Sequence, residues 1–255
     1  THYASSCEDY RMKKLIFVLA LLLPMGAMAA GGNVHLDKAE YDLTDKASLQ
    51  NGAKLFMNYC LGCHQTQYQR YQRTFEDLSI PLELGQENLQ FTGEKPGEHI
   101  KNAMPSESGA KWFGAPPPDL TLVARVRGAD WIYTYLRSFY ADEDATFGVN
   151  NTVFPDVGMP HALEELQGLP SKTTEKMMID GEMVDRYVGI KADGNGELSA
   201  AEYDTAVLDL VNYLVYIGEP SRLESESLGR WVMIFLLVLF VLVYLLKKDY
   251  WRDVH

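Results

Sequence analysis

The stretch Cys60-Leu61-Gly62-Cys63-His64 decides the fold of this chain, because two cysteines three positions apart stand directly before a histidine. The pattern C-x-x-C-H is the attachment motif of c-type haem. Two thiols about one helical turn apart can add to the two vinyl groups of one porphyrin, and the next residue then places an imidazole below the iron. The motif predicts one covalent haem c, held by Cys60 and Cys63, with His64 as an iron ligand.

The rest of the sequence argues against the other uses of a C-x-x-C pair. A redox-active pair is expected in a thioredoxin-like β-α-β context, which the pattern around the motif lacks. A structural zinc site needs further ligands, and the chain has only three cysteines. The third, Cys7, lies in a segment that we expect to be removed. Since haem uses both remaining thiols, we expect no disulfide.

The N-terminal part of the chain has the pattern of a secretory signal peptide. Lys13 and Lys14 follow Met12 and precede an apolar stretch at 15–23, and the small residues that follow end in A-M-A at Ala29. This order predicts a signal peptide at 12–29 that is cleaved after Ala29. A second membrane anchor is the alternative, but the apolar stretch is short and Pro24 follows it. Residues 1–11 fit no targeting pattern, and we interpret them as an upstream extension.

The C-terminal part contains a second apolar run, residues 231–246, which is WVMIFLLVLFVLVYLL. Sixteen residues form about 24 Å of helix, and flanking residues extend it towards the bilayer core of about 30 Å. A buried core helix is disfavoured because the run is apolar on every face. We predict a transmembrane helix at 227–248 and a cytoplasmic tail at 249–255. The basic residues Lys247, Lys248 and Arg252 favour the cytoplasmic side for this end.

These two ends predict a haem domain at 30–226 in the periplasm, anchored once in a bacterial inner membrane. The chain of 255 residues has a net charge of −12, and residues 30–229 alone carry 16 basic and 31 acidic residues, a net charge of −15. Such a charge argues against nucleic-acid binding, which needs a basic surface. It suits the attraction of a basic soluble partner, although acidic surfaces are also common for solubility alone.

The residues leave the second axial ligand of the iron open. Methionine raises the reduction potential and closes the iron to other ligands, which suits electron transfer, whereas an open position would suit ligand binding. Met104 and Met159 each precede a proline, which stiffens a loop. The histidine alternatives are His35, His99 and His161.

One further stretch resembles part of a calcium loop, residues 193–198 (DGNGEL). In that register Lys191 occupies the first ligand position, where a carboxylate is needed. We therefore interpret the stretch as a turn. Ser199 and Glu202 form a capping-box pattern that opens a helix. Asp180-Gly181, between apolar residues, predicts a small hairpin.

Several blocks of the chain, taken in order, resemble the cytochrome c1 family, the haem subunits of cytochrome bc1 complexes. The resemblance covers nearly all of residues 30–255. The blocks are residues 60–64 (CLGCH), 114–120 (GAPPPDL), 124–127 (ARVR), 154–160 (FPDVGMP) and 218–220 (GEP), followed by a single anchor with a Tyr250-Trp251 tail.

The resemblance implies a mainly α-helical c-type cytochrome domain with long loops and a single C-terminal transmembrane helix. It implies Met159 as the axial ligand, with Met104 as the alternative. It also implies Arg125 as the partner of a haem propionate, the alternative being a surface salt bridge.

The function implied by the resemblance is electron transfer within a dimeric quinol–cytochrome c reductase. Electrons pass from a Rieske iron–sulfur protein to a soluble cytochrome c, while cytochrome b carries out the quinone chemistry and this chain has no catalytic site of its own. The alternatives are a free-standing anchored carrier that feeds an oxidase, an exported haem sensor and a calcium-binding interaction protein.

Overall fold

The computed structural model describes residues 34–93, 95–179 and 182–252. The expected extension at 1–11, the signal peptide at 12–29 and the hairpin turn Asp180-Gly181 therefore lie outside the described residues. The chain divides into two compact units, residues 1–35 and 36–255, and only Val34 and His35 of the first unit are described.

The second unit is mainly helical, as the sequence predicts. Its helices are α1 (Lys46–Leu55), α2 (Tyr71–Asp77), α3 (Leu82–Leu89), α4 (Ser106–Phe113), α5 (Val123–Arg127), α6 (Ala129–Leu136), α7 (Glu164–Gln167), α8 (Ala200–Gly218) and α9 (Arg222–Tyr250), with a π-helical turn (Phe56–Cys60) directly after α1. Its short strands are β1 (Thr66–Arg70), β2 (His99–Ile100), β3 (Phe139–Ala141), β4 (Val149–Asn151), β5 (Ser171–Ile179) and β6 (Glu182–Lys191), which pair antiparallel as β1–β2, β3–β4 and β5–β6.

The core is built where α1 packs against α8. The predicted capping box is present, because the Glu202 backbone N–H donates to Ser199 Oγ at 3.4 Å and the Ser199 N–H donates to the Glu202 carboxylate at 2.9 Å. One face of α8 is apolar and buried. It consists of Ala206, Leu210, Tyr213, Leu214 and Ile217. The two helices approach closely at Gly52, where a Cβ atom would lie 2.0 Å from the carbonyl oxygen of Asp209.

A polar network fixes the start of α1 to α8. Ser48 Oγ donates to one carboxylate oxygen of Asp209 at 2.5 Å, and Asn51 Nδ2 donates to the other at 2.7 Å. Asn212 Nδ2 donates to Ser48 Oγ at 2.5 Å, and its Oδ1 accepts from the Asp42 N–H at 2.8 Å. Because α1 leads directly into the π-helical turn and the haem motif, this network sets the position of that motif against the core.

The four-residue spacing of Trp131, Tyr135 and Phe139 predicts that one helix carries all three rings, but the helix is shorter than that. Helix α6 ends at Leu136, and Phe139 belongs to β3. The three rings nevertheless form one column: Trp131 stacks on Tyr135 at 4.8 Å between centroids, and Tyr135 meets Phe139 edge-on at 5.2 Å.

Helix α9 has the length and composition of a membrane span. It runs for 29 residues with a mean hydropathy of 2.5 over its most apolar window, and within the described ranges it is the one helix that meets these criteria. It begins at Arg222, before the predicted boundary at residue 227. There the Arg222 guanidinium donates to Tyr41 Oη at 3.1 Å and to Glu226 at 2.9 Å. The bond to Tyr41 ties the first turn of this helix to the domain.

The hairpin and the turn after it also bear on the sequence predictions. Strands β5 and β6 pair over their full lengths, so the hairpin is longer than the small one predicted. In the turn, the Asp193 carboxylate accepts from the backbone N–H and the side chain of Asn195, both at 3.0 Å. No group of three or more His, Cys, Asp or Glu side chains that could hold a metal ion occurs in the described ranges. The interpretation as a turn is consistent with these contacts.

The close contact of α1 with α8 predicts that Gly52→Ala destabilises the protein. The added methyl group overlaps the Asp209 carbonyl, and overpacking of this kind costs roughly 1–3 kcal/mol. Gly229→Ala is the matched control, because a Cβ at this helical position meets no atom within 4 Å. Alanine also reduces the conformational freedom of the unfolded chain, so this variant should not be destabilised. Thermal unfolding of the purified holoprotein measures both. Equal midpoints for the two variants would contradict the packing described.

Candidate haem site

The haem motif forms a tight turn after α1. The backbone N–H of Leu61 donates to the carbonyl oxygen of Phe56 at 3.0 Å, which is the spacing of a π-helix. The N–H groups of Cys63 and His64 then both donate to the carbonyl oxygen of Cys60, at 3.1 and 2.7 Å. This turn brings the two cysteines and the histidine together on one short segment. Both cysteines are free and half-buried.

The environment of Cys60 is unlike that of a reactive thiolate. Burial, with a smaller contribution from Cys63, raises the pKa of the Cys60 thiol to about 12. The thiol is therefore protonated at neutral pH in the folded chain. Redox exchange uses the thiolate, so the structure offers no support for a redox-active pair.

The imidazole of His64 is held by one hydrogen bond to the backbone. Its Nδ1 lies 2.8 Å from the carbonyl oxygen of Pro118. Because a carbonyl oxygen only accepts, Nδ1 carries the proton and Nε2 is the nitrogen with a free lone pair. Burial lowers the pKa of His64, opposed by the bond to Pro118 and by the charge of Asp119. A neutral imidazole oriented through its second nitrogen is the form that binds metals.

The proline-rich loop that supplies this carbonyl is fixed against the haem motif. Gly114 starts it with a φ of +81°, in the left-handed region that glycine tolerates. At the other end the N–H of Leu120 donates to the Gln65 carbonyl at 2.9 Å, and the Asp119 carboxylate accepts from the Gln67 N–H at 2.8 Å. The loop thus runs beside residues 64–67, at the edge of the haem site.

The two candidate methionines have different surroundings. The Sδ atom of Met159, which is half-buried, accepts a hydrogen bond from Tyr135 Oη at 3.3 Å. Its neighbour Gly158 passes close to the backbone of α4, since a Cβ there would lie 2.7 Å from the Phe113 carbonyl oxygen. Met104 is also half-buried, and its Sδ would lie 3.2 Å from a Cβ at Gly109.

The histidine alternatives are less suited to the iron. Nδ1 of His99 contacts the carbonyl oxygen of Gln67 in the β1–β2 pair. His161 is buried and stacks on Phe139, with ring centroids 4.9 Å apart. Burial lowers the pKa of His161 to about 4, the effect being opposed by Gln167. Such packing is typical of a core histidine. His35 is described only as part of the first unit.

Arg125 lies at the surface, on α5. Its guanidinium is 3.8 Å from the Glu219 carboxylate, and the side chain is 58% exposed, so this ion pair contributes little. Arg125 lines a cleft of about 480 Å³ together with Arg127 and Trp131. The Arg127 guanidinium lies 4.9 Å from the centre of the Trp131 ring. The cleft is lined by a third arginine, Arg222, and by two carboxylates, Asp130 and Glu219, so its positive charge is partly balanced.

Two contacts of the site were not predicted from the sequence. The partner of His64 is the backbone carbonyl of Pro118, and no side-chain pattern reports a backbone contact. The donor to Met159 is Tyr135, which belongs to an aromatic stripe that looks like ordinary core. The spacing of these residues predicts that the ring packs in the core, but it does not indicate the hydrogen-bond partner of the hydroxyl.

The donor set fits haem c. Two free thiols, an imidazole with Nε2 available and a thioether sulfur on a constrained loop are the groups that attach and ligate this cofactor. Of the residues predicted from the sequence, the structure brings Cys60, Cys63 and His64 together on one turn, and it puts Met159 on a separate loop and Arg125 on α5.

Comparison with known proteins identifies the family of this chain. The model of the cytochrome C1 family matches residues 38–254. Cytochrome c1 of Allochromatium vinosum is 52% identical, over 96% of this chain and all of its own. A protein of Nitrosomonas europaea named ammonia monooxygenase gamma subunit is 43% identical over the same shares, and cytochrome c1 of Rhodospirillum rubrum is 26% identical over 95% and 98%. The chain belongs to the cytochrome c1 family, the haem subunits of the respiratory cytochrome bc1 complex.

Proposed function

We propose that this chain passes electrons from a Rieske iron–sulfur protein to a soluble cytochrome c, within a quinol–cytochrome c reductase that also contains cytochrome b. The observation that carries the proposal is the turn at residues 60–64, in which two thiols directly precede an imidazole with Nε2 available. A haem held there, with Met159 as the second ligand, would exchange electrons rather than ligands. Catalysis of quinol oxidation belongs to other subunits of the complex.

The residues of this chain have distinct roles in holding one haem c. Cys60 and Cys63 would form the two thioether links, and His64 Nε2 and Met159 Sδ would ligate the iron. When bound, the haem would supply a one-electron ferric/ferrous couple. The Pro118 carbonyl holds the His64 ring in one plane for this role.

Met159 is favoured over Met104 and His161 as the second ligand. Pro160 restricts its loop, the Gly158 backbone approach brings that loop against α4, and a hydrogen bond already orients the sulfur. A thioether disfavours the ferric state relative to a second imidazole. The resulting higher potential is needed to accept electrons from a high-potential iron–sulfur partner.

Arg125 is proposed to pair with a haem propionate. Its present partner, Glu219, is distant and solvent-exposed, so exchanging it for a propionate costs little. Arg127 lines the same cleft and adds positive charge beside it. A cation at this position partly neutralises the propionate that would otherwise face an acidic domain.

The topology proposed is a periplasmic domain at 30–226 after removal of residues 1–29, a spanning helix at 227–248 and a cytoplasmic tail at 249–255. The length of α9 and the basic residues at its end support a single pass through a bacterial inner membrane. The net charge of −15 over residues 30–229 supports docking of a basic soluble cytochrome c. The complex is proposed to be a dimer.

Purification in mild detergent tests the proposed place in a complex. We expect a tagged version of this chain to co-purify with cytochrome b and a Rieske protein, and the preparation to reduce a soluble cytochrome c when quinol is added. The rate of that reduction should fall as salt is raised, because screening weakens the attraction between an acidic domain and a basic partner. Isolation of the chain alone, at a detergent concentration that preserves other membrane complexes, would favour a free-standing carrier.

Substitution of the two methionines tests the second axial ligand. Met159→Leu should abolish the sulfur-to-iron charge-transfer band of the oxidised protein, lower the reduction potential and allow carbon monoxide to bind the reduced iron, since leucine offers no lone pair. Quinol oxidation by the complex should then stall. Met104→Leu is the matched control and should leave all these properties unchanged. The reverse pattern would assign the ligand to Met104, and no change in either variant would assign it to a histidine such as His161.

A further inference from the structure

The hydroxyl of Tyr135 has an unusual hydrogen-bond partner. It donates to the thioether sulfur of Met159 at 3.3 Å, across 24 positions of the chain. Sulfur in methionine is a weak acceptor, and a hydroxyl in a folded protein is normally satisfied by a stronger one, such as a carbonyl oxygen.

The ring that carries this hydroxyl is fixed from both sides. Trp131 stacks on one face with its plane tilted by only 9°, and Phe139 meets Tyr135 edge-on. The carbonyl oxygen of Tyr135 also accepts a hydrogen bond from Asn151 Nδ2 at 2.8 Å. These contacts fix the positions of the Tyr135 backbone and ring, so the hydroxyl is held within reach of the Met159 sulfur.

The same aromatic column contacts the methionine loop a second time. Phe139 stacks on His161 with a centroid distance of 4.9 Å and an angle of 12° between the planes. His161 stands two residues after Met159 and directly after Pro160. Tyr135 therefore contacts the loop at the Met159 sulfur, and Phe139 contacts it at His161. Pro160, between these two residues, restricts the backbone of the loop.

We propose that Tyr135 is a positioning residue for the axial ligand, which holds the Met159 sulfur by a hydrogen bond and thereby raises the reduction potential of the haem. The inference rests on the proposed ligation by Met159. A thioether sulfur has two lone pairs, of which one binds iron and the other accepts from Tyr135. The hydrogen bond withdraws electron density from the sulfur. It therefore weakens the donation that stabilises ferric iron more than the smaller donation to ferrous iron.

The size of the effect follows from the worth of one hydrogen bond. A neutral hydrogen bond has a small net worth, and only the part of it that differs between the two oxidation states changes the potential. We expect removal of the hydroxyl to raise the ferric-to-ferrous ratio at a fixed ambient potential roughly 2- to 5-fold.

The test is Tyr135→Phe, introduced both into the otherwise unchanged holoprotein and into Met159→Leu. Phenylalanine keeps the ring between Trp131 and Phe139 and removes only the hydroxyl. The matched control is Tyr133→Phe on the same helix, whose ring packs under the Arg137 guanidinium at 4.5 Å instead. The readouts are the ferric-to-ferrous ratio in a fixed redox buffer and the sulfur-to-iron charge-transfer band.

The proposal predicts a higher ferric fraction for Tyr135→Phe than for Tyr133→Phe, and no further change when Tyr135→Phe is added to Met159→Leu. A ratio equal to that of the Tyr133→Phe control would overturn it, and so would an equal rise in both backgrounds, because the hydroxyl would then not act through the sulfur. Loss of the proposed ligation itself is distinguished by the spectrum: if Met159→Leu retains the charge-transfer band, the ligand assignment fails and this inference fails with it.

Discussion

The hydrogen bond from His64 Nδ1 to the carbonyl oxygen of Pro118 is the constraint on which the rest of the site depends. It decides which nitrogen of the ring is free for the iron and in which plane the ring lies. The loop that supplies the carbonyl is in turn held beside the haem motif by Asp119 and Leu120. A c-type haem bound through Cys60 and Cys63, as we propose, would then meet a His64 ring that is already oriented for ligation.

The motif is held by the helix before it. Helix α1 packs backbone to backbone on α8 at Gly52, and Ser48, Asp209 and Asn212 bind the two helices by side-chain hydrogen bonds. Helix α8 is followed, after Gly218, by the anchor helix α9, whose first residue is bonded to Tyr41. The haem motif and helix α9 are therefore both joined to α8, the motif through the packing of α1 and helix α9 through the short segment 219–221.

The sequence predicts much of this arrangement, and the part it misses has a physical reason. The haem motif, the capping box at Ser199 and the apolar anchor are local patterns whose chemistry depends on spacing along the chain, so they are visible in one dimension. The end of α6 before Phe139 was missed because β3 pairing overrides the helical spacing of the aromatic residues. The bonds of Pro118 and Tyr135 join segments far apart in the chain, and one of them uses a backbone atom, so residue type carries no trace of them.

The measurement that bears most directly on the central claim is the intact mass of the chain extracted from the membrane under denaturing, reducing conditions. A covalently held haem survives such treatment, whereas a haem bound only through its axial ligands is lost. We expect the mass of the polypeptide from Ala30 onward plus one haem, and the loss of that single increment when Cys60 and Cys63 are both replaced by serine. The mass of the polypeptide alone, in a preparation that shows a haem spectrum before denaturation, would contradict covalent attachment through these two cysteines.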